Sequence, residues 1–150
     1  MIYAITLLTI LLDQISKYVV LKNMDTSMVM PVFPHFNLVL VYNRGVSFSM
    51  FSSDGDVMPY VLSALALAIC AGIIYWIRIE KDTWVRYALA MILGGAIGNI
   101  IDRLRFGSVV DFLDVYYLKY HWPAFNIADA AICVGVFLIV FLTLFMKGKK

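Results

Sequence analysis

Four stretches of this chain are apolar for long enough to cross a bilayer, and this limits the fold more than any motif does. A membrane-spanning helix takes about 20 residues. The four stretches are residues 2–21, 59–77, 84–101 and 127–146. In hydrocarbon every backbone N–H and C=O must find its partner inside the protein, so such stretches become helices. Of the 150 residues, 63% are hydrophobic and 15% charged, which is more apolar than a soluble domain of this size requires. The first stretch lacks a basic start and a small-residue cleavage site, and it carries Asp13 and Lys17. It is therefore expected to be a span rather than a cleaved leader. No repeat, low-complexity tract or linker divides the chain, and residues 1–150 are read as one integral membrane domain. The expected fold is membrane all-α, with four transmembrane helices and a small extracytoplasmic β-rich subdomain in the first connection.

Four spans have a geometric consequence. The first connection (about 22–58) and the third (about 102–126) emerge on one side. The short second connection, 78–83, and both termini emerge on the other. Asp111 and Asp129 flank the third connection and so meet the same membrane face. Asn99, Asp102 and Arg103 end the third span there, and Asp13 and Lys17 lie in the half of the first span that leads to it. Arg78, Lys81, Arg86, Lys147, Lys149 and Lys150 mark one side, against Lys22, Arg44, Arg103, Arg105 and Lys119 on the other. Arg44 is deep in a long connection and Arg103 sits in a polar cluster. The expected orientation therefore has both termini cytoplasmic and the polar face outside.

Several function classes fall away. A net charge of +2, with no basic cluster interleaved with aromatics, gives no footprint for nucleic acid. Cys70 and Cys133 lie in apolar runs and read as packing residues. His35 and His121 form no H-E-x-x-H, so a zinc protease is not expected.

Phe36–Phe51 is rich in Val, Phe and Tyr around Asn43-Arg44-Gly45. It predicts short strands folding back through Asn43 and Gly45. A sheet lying on the membrane would turn Phe33, Phe36, Phe48 and Phe51 to lipid or substrate, and a structural cap over the bundle explains the pattern equally well. Asp13 and Lys17, four apart, share a helix face and read either as an ion pair that fixes packing or as support for a site. Gly94, Gly95 and Gly98 give a small-x-x-x-small spacing whose first use is packing within the bundle. Asn99, Asp102 and Arg103 follow, with Asp102 and Arg103 expected to join a charge network. Asn126 is placed to cap the fourth span, whose N-terminus favours a negative charge at Asp129. Taken singly, Asp129 reads as a capping charge and Asp111 as a surface turn. Together they read as two carboxyls that share a proton and activate water. Asp114 is the rival for Asp111.

These motifs resemble those of the signal peptidase II family, the intramembrane aspartyl peptidases of bacteria that process lipoproteins. The resemblance lies in Asp13-Gln14-Ile15-Ser16-Lys17, in Asn43-Arg44-Gly45-Val46-Ser47-Phe48 and in Gly94 through Arg103. It continues in Gly107-Ser108-Val109-Val110-Asp111-Phe112 and in Phe125-Asn126-Ile127-Ala128-Asp129. Five motifs in order, over nearly the whole chain, are highly specific. The resemblance implies catalysis by Asp111 and Asp129. Asn43, Gly45, Asn99, Arg103 and Asn126 would serve substrate binding or site geometry, and Asp13, Lys17 and Asp102 the fold or the site. It further implies no metal or organic cofactor, diacylglyceryl-modified prolipoproteins as substrates, and an active face outside the bacterial cytoplasmic (inner) membrane. The chain is expected to be a monomer in contact with membrane lipid. Two other functions compete with peptide cleavage by the aspartates: a small proton-coupled transporter or channel, and a Ser–Lys peptidase using Lys17 with Ser47 or Ser49. A structural membrane scaffold is the last alternative.

Overall fold

The computed structural model describes residues 1–45 and 57–145. Among them are four helices long and apolar enough to cross a membrane: α1 (Ile2–Asn23), α2 (Met58–Ile79), α3 (Thr83–Phe106) and α4 (Ile127–Phe145). Their ends follow from local chemistry. Asp82 caps α3 by accepting the N–H groups of Trp84 and Val85, which satisfies donors that a helix start leaves open. Gly107, at φ 66°, ends α3 in the left-handed conformation that favours glycine. Pro59 stands in the first turn of α2, where a missing N–H costs nothing. Helix α3 extends past the expected Ile101 to Phe106 and so carries Asp102 and Arg103 as helical residues.

Helix α3 is the central post, with α1, α2 and α4 packed around it. The glycine stripe makes this possible. A Cβ on Gly94 would run into Thr9 and the Thr6 carbonyl, and one on Gly95 into the Ala128 carbonyl. Gly98 is closed against Asp13, and Gly135 of α4 meets the Ala88 carbonyl in return. The stripe is thus occupied by the protein's own α1 and α4. Leu7, Leu11, Leu65, Ile69, Phe137 and Leu144 remain exposed on the outer helices, as lipid contact requires.

The β-structure draws on both long connections. Strands β1 (Val29–Phe33) and β2 (Phe36–Asn43) come from the first, and β3 (Val109–Tyr117) and β4 (Tyr120–His121) from the third. They form one antiparallel sheet in the order β1-β2-β3-β4. The β1–β2 hairpin turns at Pro34 and His35, the latter at φ 70°, not at Asn43 and Gly45. Those two residues make a separate turn after β2, where the Gly45 N–H donates to Asn43 Oδ1 at 2.8 Å. The strand expected beyond that turn, with Ser47, Phe48, Ser49 and Phe51, lies outside the described residues. Val20 and Met24 of α1 pack with Leu40, Val110 and Phe112, and this seats the sheet on the bundle end.

Candidate active site

Four elements deliver carboxylates to that end of the bundle: α1, α3, β3 and α4. Asp111 lies on β3 and is 1% exposed. A surface turn is therefore excluded: Val109, Val110 and Phe112 are buried beside it. Asn43 Nδ2 donates to Asp111 Oδ2 at 2.9 Å, and Asn126 Nδ2 donates to Asp111 Oδ1 at 2.7 Å. Both oxygens are thus held by amide donors. Burial, the largest cause, pushes the Asp111 carboxyl up to about 6, and the charge of Asp129 adds to the rise. The amide bonds and the more distant Lys17 work against it.

Asp129 stands in the first turn of α4 and is half-buried. Its own N–H donates to Asn126 Oδ1 at 2.9 Å, while the Asn126 N–H reaches Asp129 Oδ2 at 3.3 Å. This reciprocal pair is a capping box, so Asp129 does cap its helix. Its second oxygen is held separately, by Asn99 Nδ2 at 2.8 Å. Asn126, 0% exposed, touches both carboxylates at once: Asp111 through its amide nitrogen, and Asp129 through its backbone N–H, while its amide oxygen accepts the Asp129 backbone N–H. Its Nδ2 also approaches the Asn99 side chain and the Val110 carbonyl.

Beneath the pair lies a second buried polar cluster. Lys17 Nζ donates to Asp13 Oδ2 at 2.8 Å and to Asn99 Oδ1 at 3.3 Å, and pairs with the charge of Asp102, whose Oδ2 lies 2.8 Å away. The ammonium thus has three oxygens around it. The remaining carboxylate lone pairs reach backbone: Asp13 Oδ1 accepts the Ala128 N–H and Asp102 Oδ2 the Val110 N–H. The cluster thereby fixes the start of α4 and the start of β3, the two segments that carry Asp129 and Asp111. Asp102 pairs with Lys17 rather than with its neighbour Arg103, because adjacent residues on a helix point in different directions. Arg103 Nη1 approaches the Asn99 carbonyl at 3.5 Å, and its charge acts on Asp129, Asp102 and Asp111.

The geometry brings Asn43, Asn99, Asn126, Asp13, Lys17, Asp102 and Arg103 together around Asp111 and Asp129. Gly45 enters through its turn with Asn43. Asp114, the rival, belongs to a different cluster: Asn37 Nδ2 donates to it at 2.8 Å, and His121 Nδ1 lies 2.8 Å from its Oδ1. Gln14 was not singled out from sequence. Its Nε2 reaches Asp102 Oδ1 at 3.0 Å, Asp13 Oδ2 at 3.1 Å and the Gly98 carbonyl at 3.3 Å. Its position beside Asp13 is the one signal the sequence offers.

Two carboxyls joined through Asn126 therefore stand at one end of the helix bundle, and burial raises one of them, Asp111, to about 6. The family model for signal peptidase (SPase) II matches residues 5–145. The chain is 44% identical over 145 residues to a lipoprotein signal peptidase of Teredinibacter turnerae, covering 95% of this chain and 86% of that protein. It is 42% identical to one of Aeromonas hydrophila, covering 97% and 89%. It also superposes on a solved bacterial membrane enzyme with a TM-score of 0.83 and 29% identity, covering 98% of this chain and 90% of the other. A second such enzyme gives 0.84 and 28%, covering 95% and 92%. The chain belongs to the signal peptidase II family and is a multi-pass membrane peptidase.

Proposed function

We propose that this protein removes the signal peptide from diacylglyceryl-modified prolipoproteins, as an aspartic endopeptidase whose dyad is Asp111 and Asp129. One observation carries the dyad: Asn126 contacts both carboxylates, that of Asp129 through its backbone N–H, and Asp111 is pushed up to about 6 beside Asp129. Two such groups hold one proton between them. The ionised carboxylate takes a proton from a water, whose oxygen attacks the carbonyl carbon preceding the lipidated cysteine. The neutral carboxyl hydrogen-bonds the developing oxyanion. The C–N bond then breaks, and the acquired proton goes to the departing amine. The products are a signal peptide ending in a carboxylate and a lipoprotein with a free amino group on its cysteine.

In this reaction Asn43 and Asn126 orient Asp111, Asn99 orients Asp129, and Arg103 offers positive charge near the substrate carbonyls. Gly45 shapes the Asn43 turn. Asp13, Lys17 and Asp102 hold the two carboxylate-bearing segments in register. No metal or organic cofactor takes part. The protein acts as one domain and as a monomer, with cytoplasmic termini and the dyad at the outer face of the bacterial inner membrane. There the diacylglyceryl anchor keeps the scissile bond at the lipid–water boundary. A proton-coupled transporter would spread its acids through the membrane depth. Asp13, Asp102, Asp111 and Asp129 instead converge on one end, linked through Asn99, Asn126 and Lys17.

The test is incubation of purified protein with a diacylglyceryl-modified precursor. Wild type should release the signal peptide. Asp111→Asn and Asp129→Asn should fold and insert but lose turnover by about 10²–10⁴-fold, the usual worth of a general acid–base group. Full turnover by either variant, or dependence on Ser47 instead, would overturn the dyad.

A further inference from the structure

The sheet carries a further polar cluster, built on one carboxylate, that the reaction does not use. Asp114 and Asn37 are 6% and 7% exposed, and they face each other as register partners on β3 and β2. His121 of β4 closes on Asp114 from the other side, its Nδ1 at 2.8 and 3.0 Å from the two oxygens. The His121 ring is itself stacked on Tyr116 at 5.0 Å.

Strand geometry relates this cluster to Asp111. Residues an odd number apart on a strand point to opposite faces, so Asp111 and Asp114 face opposite sides of the sheet. Their amide partners both come from β2. Asn37 and Asn43 are an even number apart, and on a regular strand they would face the same side. They do not, because the pairing steps from Leu38 opposite Leu113 to Val41 opposite Asp111, three residues of β2 against two of β3. That bulge re-aims the strand. Asn37 thus meets Asp114 on one face, and Asn43 meets Asp111 on the other. The two amide–carboxylate bonds bracket the bulge and fix where it falls. A one-residue slip between β2 and β3 would carry Asp111 to the wrong face.

The cluster also closes the link between the two proposed catalytic residues. The chain leaves Asp111 along β3, turns back through β4, and returns beside β3. There Phe125 O accepts the Phe112 and Leu113 N–H groups, at 3.0 and 2.8 Å, just before Asn126 and Asp129. The bond from Asp114 to His121 spans that return.

We propose that Asp114, held by Asn37 and His121, is a positioning residue. It locks the register of β3 against β2 and against the returning segment, and so keeps the Asp111 carboxyl turned toward Asp129. This rests on the dyad assigned above. Asp114 touches no reacting atom, so its effect falls on the geometry of Asp111, which Asp129 faces from α4, Lys17 from α1 and Arg103 from α3.

The experiment measures kcat, KM and the pH profile of purified Asp114→Asn, His121→Leu and His121→Gln on a diacylglyceryl-modified precursor. Asp111→Asn runs alongside. Misplacing a reacting group by about an ångström costs roughly ten- to a hundredfold. Asp114→Asn and His121→Leu should lose kcat on that scale, with KM unchanged. Their alkaline limb should move to lower pH, because an Asp111 turned away from Asp129 and toward solvent gives up its proton sooner. His121→Gln, which keeps an N–H donor, should recover most of the rate. A merely structural role would lower the yield of folded enzyme without moving the limb. Wild-type kcat and pH profile in folded Asp114→Asn and His121→Leu would overturn the proposal. So would a loss confined to KM, or a loss in His121→Gln as large as in His121→Leu. Activity in the Asp111→Asn control would instead defeat the dyad itself, whatever the Asp114 variants do.

Discussion

Two pairs of carboxylates sit in the same end of this bundle, and their surroundings differ. Asp13 and Asp102 are 0% exposed and share a cation in direct contact: Lys17 stands 2.8 Å from each. Their other lone pairs are met by backbone N–H groups and Gln14. Asp111 and Asp129 are held by asparagine amides, and Asn126 joins them. Amides orient a carboxylate without neutralising it. The first pair is fixed around one cation, which suits a structural knot. In the second, burial and like charge work against double ionisation, which suits proton transfer.

The contrast can be broken at several strengths. The largest effect should come from the dyad: Asp111→Asn lowers turnover by about 10²–10⁴-fold and leaves a folded, inserted protein. Lys17→Met should do the reverse and strike the fold first. Stranding two buried carboxylates without their cation is expected to cost about 3–5 kcal/mol, visible as a lowered thermal midpoint in detergent. If Lys17→Met melts like wild type, the two pairs are not different in kind.

A pH series on stability separates them further. Asp111 binds a proton in the folded protein up to about 6, against the ordinary carboxyl value of 3.8. Between those values the folded chain holds a proton that the unfolded chain has lost, so stability must fall as pH rises through the window. The fall is up to roughly 3 kcal/mol. It should be absent in Asp111→Asn, and a fall of equal size in that variant would place its source elsewhere. The smallest change is Gln14→Met, which removes the amide between Asp13 and Asp102. Thermal melts should lose about 1–2 kcal/mol with the dyad chemistry intact, and loss of turnover in a stable Gln14→Met protein would tie the knot to the chemistry directly.

Much of this was legible in the chain. The four apolar stretches specified helices because lipid offers no other partner for the backbone. Alternation of connections placed Asp111 and Asp129 on one face before any coordinates. Asn126 read as a cap, because that signal is local. Other features depend on contacts distant in sequence. The sheet unites the first and third connections, and nothing in Phe36–Asn43 names Val109–Tyr117 as its partner. The pairing of Lys17 with Asp102 crosses from α1 to α3, whereas sequence proximity had suggested Arg103. The bulge in β2 exists only relative to β3, so the separate environments of Asp111 and Asp114 lay beyond any single-strand pattern. Positive φ at His35, where β1 turns into β2, likewise carries no glycine to announce it.

The claim on which the chemistry depends is that Asp111 keeps its proton above the ordinary carboxylate range because burial, and after it the charge of Asp129, oppose its ionisation. Infrared titration of the purified protein reads this directly, as the protonated-carboxyl stretch that disappears in Asp111→Asn. That band should persist to about pH 6 and move to lower pH in Asp129→Asn. A band already lost near 3.8, or one indifferent to Asp129, would contradict it.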